Sequence, residues 1–130
     1  MSRLLLPEAC IHAAIRDRIA HHHRDFIEEV ERAVQMHDVV VVGMGWNPFP
    51  RKARELLTAA GIAHHSIEHG NYLSGWRRRN ALKMWTGWPT FPMIFVKGTL
   101  IGGYENLKAL NESGDLAAAV RNAPALNAPQ

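Results

Sequence analysis

At 130 residues, 47% of them hydrophobic and 21% charged, the chain has the size and composition of one soluble globular domain with a sizeable core. Its net charge of +3 is mild and its densest basic run, Arg77-Arg78-Arg79, is short, so a nucleic-acid-binding stripe is excluded as the expected surface. A single cysteine, Cys10, excludes an intramolecular disulfide, a CxxC redox pair and any multi-cysteine zinc or iron–sulfur site within one chain.

No apolar run approaches the ~20 residues of a membrane span. Leu4-Leu5-Leu6 is cut off by Pro7 and Glu8, well short of a secretory core of roughly 7–15 apolar residues. The expected location is therefore cytoplasmic, with no membrane partner.

Residues 1–37 read as helical, with a break near His21-His22-His23. Ile11, Ile15 and Ile19 recur at helical spacing, as do Phe26, Val30 and Val34, while Glu28, Glu29, Glu31 and Arg32 make a wet face. Cys10 falls in this apolar-periodic part and reads as an inert helix cysteine. The β-branched run from Val39 to Met44 predicts a strand buried on both faces. Asn47-Pro48 then starts a helix, because Asn is a preferred N-cap and Pro suits the first helical position. That helix runs to about Ala60 with Phe49, Ala53, Leu56, Leu57 and Ala60 inward, and Gly61 stops it.

Ile62 to Ile67 predicts a second strand, ended by a turn around His69-Gly70-Asn71. A helix follows from Leu73 to Trp85, with Trp76, Leu82 and Trp85 inward. The prolines of Gly87-Trp88-Pro89-Thr90-Phe91-Pro92 impose a loop. Met93–Val96 and Thr99–Ile101, joined at Lys97-Gly98, predict a hairpin. Helices follow from Tyr104 to about Asn111 and, after Ser113-Gly114-Asp115, to about Asn122. The expected organisation is a helical extension over 1–37, a domain over 38–122 and a frayed tail over 123–130. A β-α-β start followed by a hairpin demands a parallel crossover and then antiparallel strands. The result is an α/β, thioredoxin-like domain with a four-stranded mixed sheet flanked by helices.

Two segments carry a family resemblance. Trp88-Pro89-Thr90-Phe91-Pro92 is close to the WPTFP segment of monothiol glutaredoxins. Val96-Lys97-Gly98-Thr99-Leu100-Ile101-Gly102-Gly103 looks like that family's V-x-G-x-x-I/V-G-G hairpin and glycine pair. From about Asp38 to Asn122 the sequence thus resembles a glutaredoxin. Where the family carries C-P-Y-C or C-G-F-S, this chain has Asn47-Pro48-Phe49-Pro50. Met44-Gly45-Trp46 stands in place of the family's lysine, and the loop insertion of the C-G-F-S class is absent.

The missing thiols matter because a helix N-terminus lowers a thiol's pKa, and the resulting thiolate is what exchanges with glutathione disulfides. Asn47 keeps the capping role but is no thiolate, and Pro50 supplies no resolving thiol. Nor can Asn47 bridge a [2Fe–2S] cluster as a family cysteine does, so no iron–sulfur cluster is expected. The resemblance does imply a glutathione site. Pro92 matches the family's cis-proline, with Thr90 and Phe91 before it and Phe91 presenting backbone groups to the ligand. Gly102, Gly103 and Tyr104 would hold the γ-glutamyl carboxylate at a helix start, and Glu105 would meet its ammonium group. Arg79 would pair the glycyl carboxylate with its planar fork. Asn47 and Phe49 complete the set.

The remaining constellations are read plainly. His21-His22-His23, with His12, His37, His64, His65 and His69, shows no tight chelate pattern, so these are surface histidines and no metal is assigned. Trp85 and Trp88 read as core, and Trp46 as an exposed aromatic beside the site. The N-terminal helices are an extra layer or a homodimer surface. Three functions fit: a glutathione-binding adaptor or sensor without thiol catalysis, acting on a partner the sequence does not name; a glutathione-dependent disulfide oxidoreductase with bound glutathione as its only thiol; and a pure protein-interaction module.

Overall fold

In chain order the elements are a 3-10 turn (Glu8–Cys10), α1 (Ala13–His21), α2 (Arg24–Met36), β1 (Val39–Gly43), α3 (Pro48–Ala59), β2 (His65–Glu68), α4 (Trp76–Thr86), β3 (Met93–Val96), β4 (Thr99–Gly102), α5 (Tyr104–Ser113) and α6 (Asp115–Arg121). The computed structural model describes residues 3–43, 48–68 and 76–121, the side chains of 76–78 excepted. None of the described helices is long and apolar enough to cross a membrane.

The four valines of β1 set the architecture. Strand side chains alternate between faces, so Val40 and Val42 enter one core with Phe26, Val30, Leu82, Met93 and Phe95. Val39 and Val41 enter the other with Ala53, Leu57, Ile94, Leu107 and Leu116. A run apolar at every position is therefore what a central strand between two helical layers requires. The sheet order is β2-β1-β3-β4. β2 is parallel to β1, with α3 as the crossover, while β3 runs antiparallel to β1 and β4 antiparallel to β3. This is the expected thioredoxin-like sheet, preceded by the N-terminal helices.

Local signals hold at the turns. Gly61 takes φ +73°, and the Ile62 N–H donates to the Leu57 carbonyl at 2.9 Å, a Schellman closure of α3. Lys97 and Gly98 both have positive φ, 51° and 84°, as a tight hairpin turn matched to strand twist requires. The break at the histidines is present: His23 lies in the left-handed region at φ 48°.

Several expectations are corrected. Residues 3–7 are not helical, and Cys10 closes an exposed 3-10 turn instead of lying in a helix. α1 buries no residue, and Ile15 and Ile19 are 45% and 44% exposed, so that stripe faces outward. In α3 the buried positions are Pro50, Ala53 and Leu57, spaced i, i+3, i+7, which turns Phe49 and Ala60 out. β2 begins at His65, not Ile62, because the Schellman closure occupies Ile62. Trp85 is 38% exposed, with its ring 6.4 Å from that of Phe95 between centroids. Met44, the turn at 69–71, Leu73 and the tail from 122 lie outside the described residues.

Candidate functional site

Strand register gathers the candidate residues at one end of the sheet. Gly43 pairs with Glu68, Val42 with Met93 and Ile94 with Gly102. The C-terminal ends of β1, β2 and β4 and the start of β3 therefore share one edge. α3 follows β1 there and α5 follows β4 there, which brings two helix N-termini, with their partial positive charge, to the same rim.

On the α3 side, Pro48 occupies the first helical position, where a missing N–H costs nothing. Pro50 is fully buried. A Cβ on Gly43 would lie 2.6 Å from the Pro50 Cβ, so the ring is seated on a residue that has no side chain. This contact fixes the rotation of α3 and leaves Phe49 on the rim, 41% exposed. The Phe49 ring lies 6.0 Å from that of Tyr104 at 37°, joining the first turns of α3 and α5. Lys52 Nζ stands 5.0 Å from the Phe49 centroid and adds a cation to this wall.

The loop before β3 forms the second wall. The Phe91–Pro92 peptide is cis, Pro92 is buried and Thr90 is exposed. Phe91 packs partly against the core, with Lys83 Nζ 5.8 Å from its ring centroid. Between loop and helix lies Gly103, the residue that caps α5. A Cβ there would sit 3.4 Å from the Pro92 carbonyl oxygen and 3.7 Å from Trp88 Nε1. That indole nitrogen is the one buried side-chain polar atom without a hydrogen-bond partner among the described residues. Gly102 is at φ +115°, and its Cβ would meet Asn106 Oδ1 at 2.6 Å. The reason is that Asn106 folds back to accept the Gly103 N–H at 3.0 Å. Glu105 is exposed in the first turn of α5.

The structure thus brings Phe49 to Tyr104, and Pro92 to Gly103. Thr90, Phe91 and Glu105 lie on the flanking segments, and Arg79 is half-buried in the first turn of α4 in the opposite helical layer. Asn47 lies outside the described residues, as does Trp46. Sequence reasoning missed Gly43, Lys52, Lys83 and Asn106. Lys52 was within reach, since three residues along a helix from an exposed aromatic is a contact distance; the Gly43–Pro50 contact had no sequence signal. The single cysteine offers the rim no thiol, because Cys10 is on the N-terminal segment.

The described histidines have local partners. His12 Nδ1 accepts the Ala14 N–H at the start of α1 at 3.0 Å, His21 pairs with Asp17, and His37 stacks on His65 at 4.2 Å. Among the described residues no group of three His, Cys, Asp or Glu could hold a metal ion.

Comparison with known proteins agrees with this fold. A family model described as Glutaredoxin matches residues 39–101. A glutaredoxin-like protein of Dictyostelium discoideum is 44% identical over 75% of this chain and 80% of its own length. Glutaredoxin-3 of Bos taurus is 37% identical over 52% of this chain, which spans only 20% of that longer protein. The crystal structure of a buckwheat glutaredoxin–glutathione complex superimposes with a TM-score of 0.68, covering 77% of this chain and 91% of that one at 22% identity, a likeness of fold.

Proposed function

The chain belongs to the glutaredoxin family, and from that premise we propose that it binds glutathione, or a glutathionylated protein, as an adaptor or sensor. It does so without a thiolate of its own. The observation that carries this reading is the shape at Gly103: an uncrowded glycine at a helix N-terminus, beside the Pro92 carbonyl and an indole N–H with no partner. Glutathione offers an anionic γ-glutamyl carboxylate, which suits the N–H groups that open α5. Glu105 stands in the same turn for the adjacent ammonium group. Phe49, Tyr104 and Lys52 make an aromatic, cationic wall for the rest of the tripeptide, and Arg79 takes the glycyl carboxylate.

The junction at 47–50, Asn-Pro-Phe-Pro, separates this member from thiol chemistry. Its helix start is retained while the nucleophile is not, so the ligand's own sulfur is not attacked. Calorimetric titration with reduced and oxidised glutathione tests the proposal. Binding at millimolar or lower concentration, with mixed-disulfide reduction no faster than free glutathione provides, is the expected pair of results. No heat of binding for either form overturns it.

A further inference from the structure

Positive charge is unevenly placed on the helices. α3 and α4 carry seven arginines and lysines against one acid, Glu55, whereas α2 carries four acids against two arginines. Helix polarity disfavours the first pattern, because the first turn suits an acid and the last turn a cation. α2, α5 and α6 follow that rule and open with Asp25, Glu105 and Asp115. α3 and α4 have no acid in the first turn and place Arg51 and Arg79 there. α1 lacks one as well, but its Arg16 is tied down, donating to the Ile11 carbonyl at 2.7 Å. An anionic partner at the starts of α3 and α4 would offset this local repulsion.

Two cations beside the cradle are left over once glutathione's own charges are matched. Arg51 pairs with Glu55 at 3.5 Å, and Arg54 pairs with Glu68. The two carboxylates and one ammonium group of glutathione are met by the start of α5, Arg79 and Glu105. Lys52 and Lys83 have no ion-pair partner among the described residues. They stand on opposite walls, Lys52 Nζ 5.0 Å from the Phe49 ring and Lys83 Nζ 5.8 Å from the Phe91 ring. A cation over an exposed aromatic ring keeps most of its charge open to a further anion.

Resting on the glutathione reading above, we infer that the preferred ligand is a glutathionylated protein segment, not free glutathione. Its modified cysteine lies among aspartates and glutamates, and Lys52 and Lys83 meet acids on either side of the mixed disulfide. Charge complementarity of this kind supplies specificity where the tripeptide, common to every glutathionylated protein, supplies none.

Calorimetric titration with peptides of about ten residues tests it, each bearing one glutathionylated cysteine flanked by acidic, neutral or basic residues. The acidic peptide should bind at least about tenfold more tightly than the basic one, and added salt should shrink that ratio. Lys52→Gln/Lys83→Gln should cut the ratio to about threefold or less, whatever it does to the affinity for free glutathione. Arg32→Glu changes the net charge by the same amount near the end of α2 that leads into β1, away from the rim, and should leave the ratio unchanged. Equal binding of all three peptides, or a preference that survives the lysine substitutions, overturns the inference while glutathione binding stands. So does an unmodified acidic peptide, or a short oligonucleotide, that competes as well as the glutathionylated one. Failure of free glutathione and of every peptide to bind overturns the glutathione reading itself.

Discussion

Gly43 and Pro50 are one structural unit: the fully buried pyrrolidine ring occupies the place where a side chain on Gly43 would begin, 2.6 Å from its Cβ. The end of the central strand and the first turn of α3 therefore lock together. Their contact sets which side of α3 faces the sheet, and so puts Phe49 on the rim. Gly43→Ala is expected to cost about 1–3 kcal/mol through overpacking, measured as a fall in Tm. In a Pro50→Gly background, which removes both the Cβ and the ring, the same substitution should cost at least about 1 kcal/mol less, the coupling expected of residues in direct contact. Additive effects in this double-mutant cycle contradict the contact.

The two glycines before α5 should respond differently. Gly102→Ala forces a φ of +115° on a residue with a side chain and crowds Asn106. A stability loss of about 1–3 kcal/mol follows. Gly103→Ala meets only ordinary contacts at 3.4 and 3.7 Å, so its Tm should stay close to wild type while glutathione affinity falls. Equal losses of stability at both positions would show that Gly103 has no separate binding role.

Phe49 is exposed enough for its packing and its function to be separated. Phe49→Ala should reduce stability by less than about 1 kcal/mol, since much of the ring is already in water. The same change removes the wall shared with Tyr104 and Lys52 and should weaken glutathione binding several-fold by calorimetry. A large fall in Tm with unaltered affinity would reassign Phe49 to the core.

Restoring a thiol should restore chemistry. Asn47→Cys places a cysteine before the first helical proline, where the helix N-terminus lowers thiol pKa. In a Cys10→Ser background, turnover in a mixed-disulfide reduction assay should rise above that of glutathione alone. If the variant binds glutathione but stays inactive, the lost cysteine is not what separates this chain from thiol catalysis.

Iron–sulfur assembly gives a further check. Without a thiolate at position 47, the wild-type chain should gain no absorbance above ~400 nm after anaerobic reconstitution with iron, sulfide and glutathione. A stable coloured dimer would contradict this expectation.

What could be read from the sequence was local. The valine run of β1, the helix start at Pro48, Gly61 and the Lys97-Gly98 turn each follow from steric and hydrogen-bonding rules acting over a few residues. In series they were enough to predict the order of elements and hence the sheet. The glycine pair and the Trp88–Pro92 loop likewise marked two segments that the structure brings together.

What the tertiary structure decided was orientation. Helical spacing alone put Phe49 inward beside Ala53, and Trp85 inward beside Leu82; both are turned toward solvent. For Phe49 the cause is the non-local seat of Pro50 on Gly43. The apolar periodicity of α1 left open whether the N-terminal helices are an extra layer or a homodimer surface; in the structure α1 buries no residue, and Ile19 borders an open trough. The approach of Phe49 to Tyr104, and of Trp88 to Gly103, depends on two loops returning to the same end of the sheet. Periodicity marks which residues share a face, but only packing between distant segments decides what that face meets.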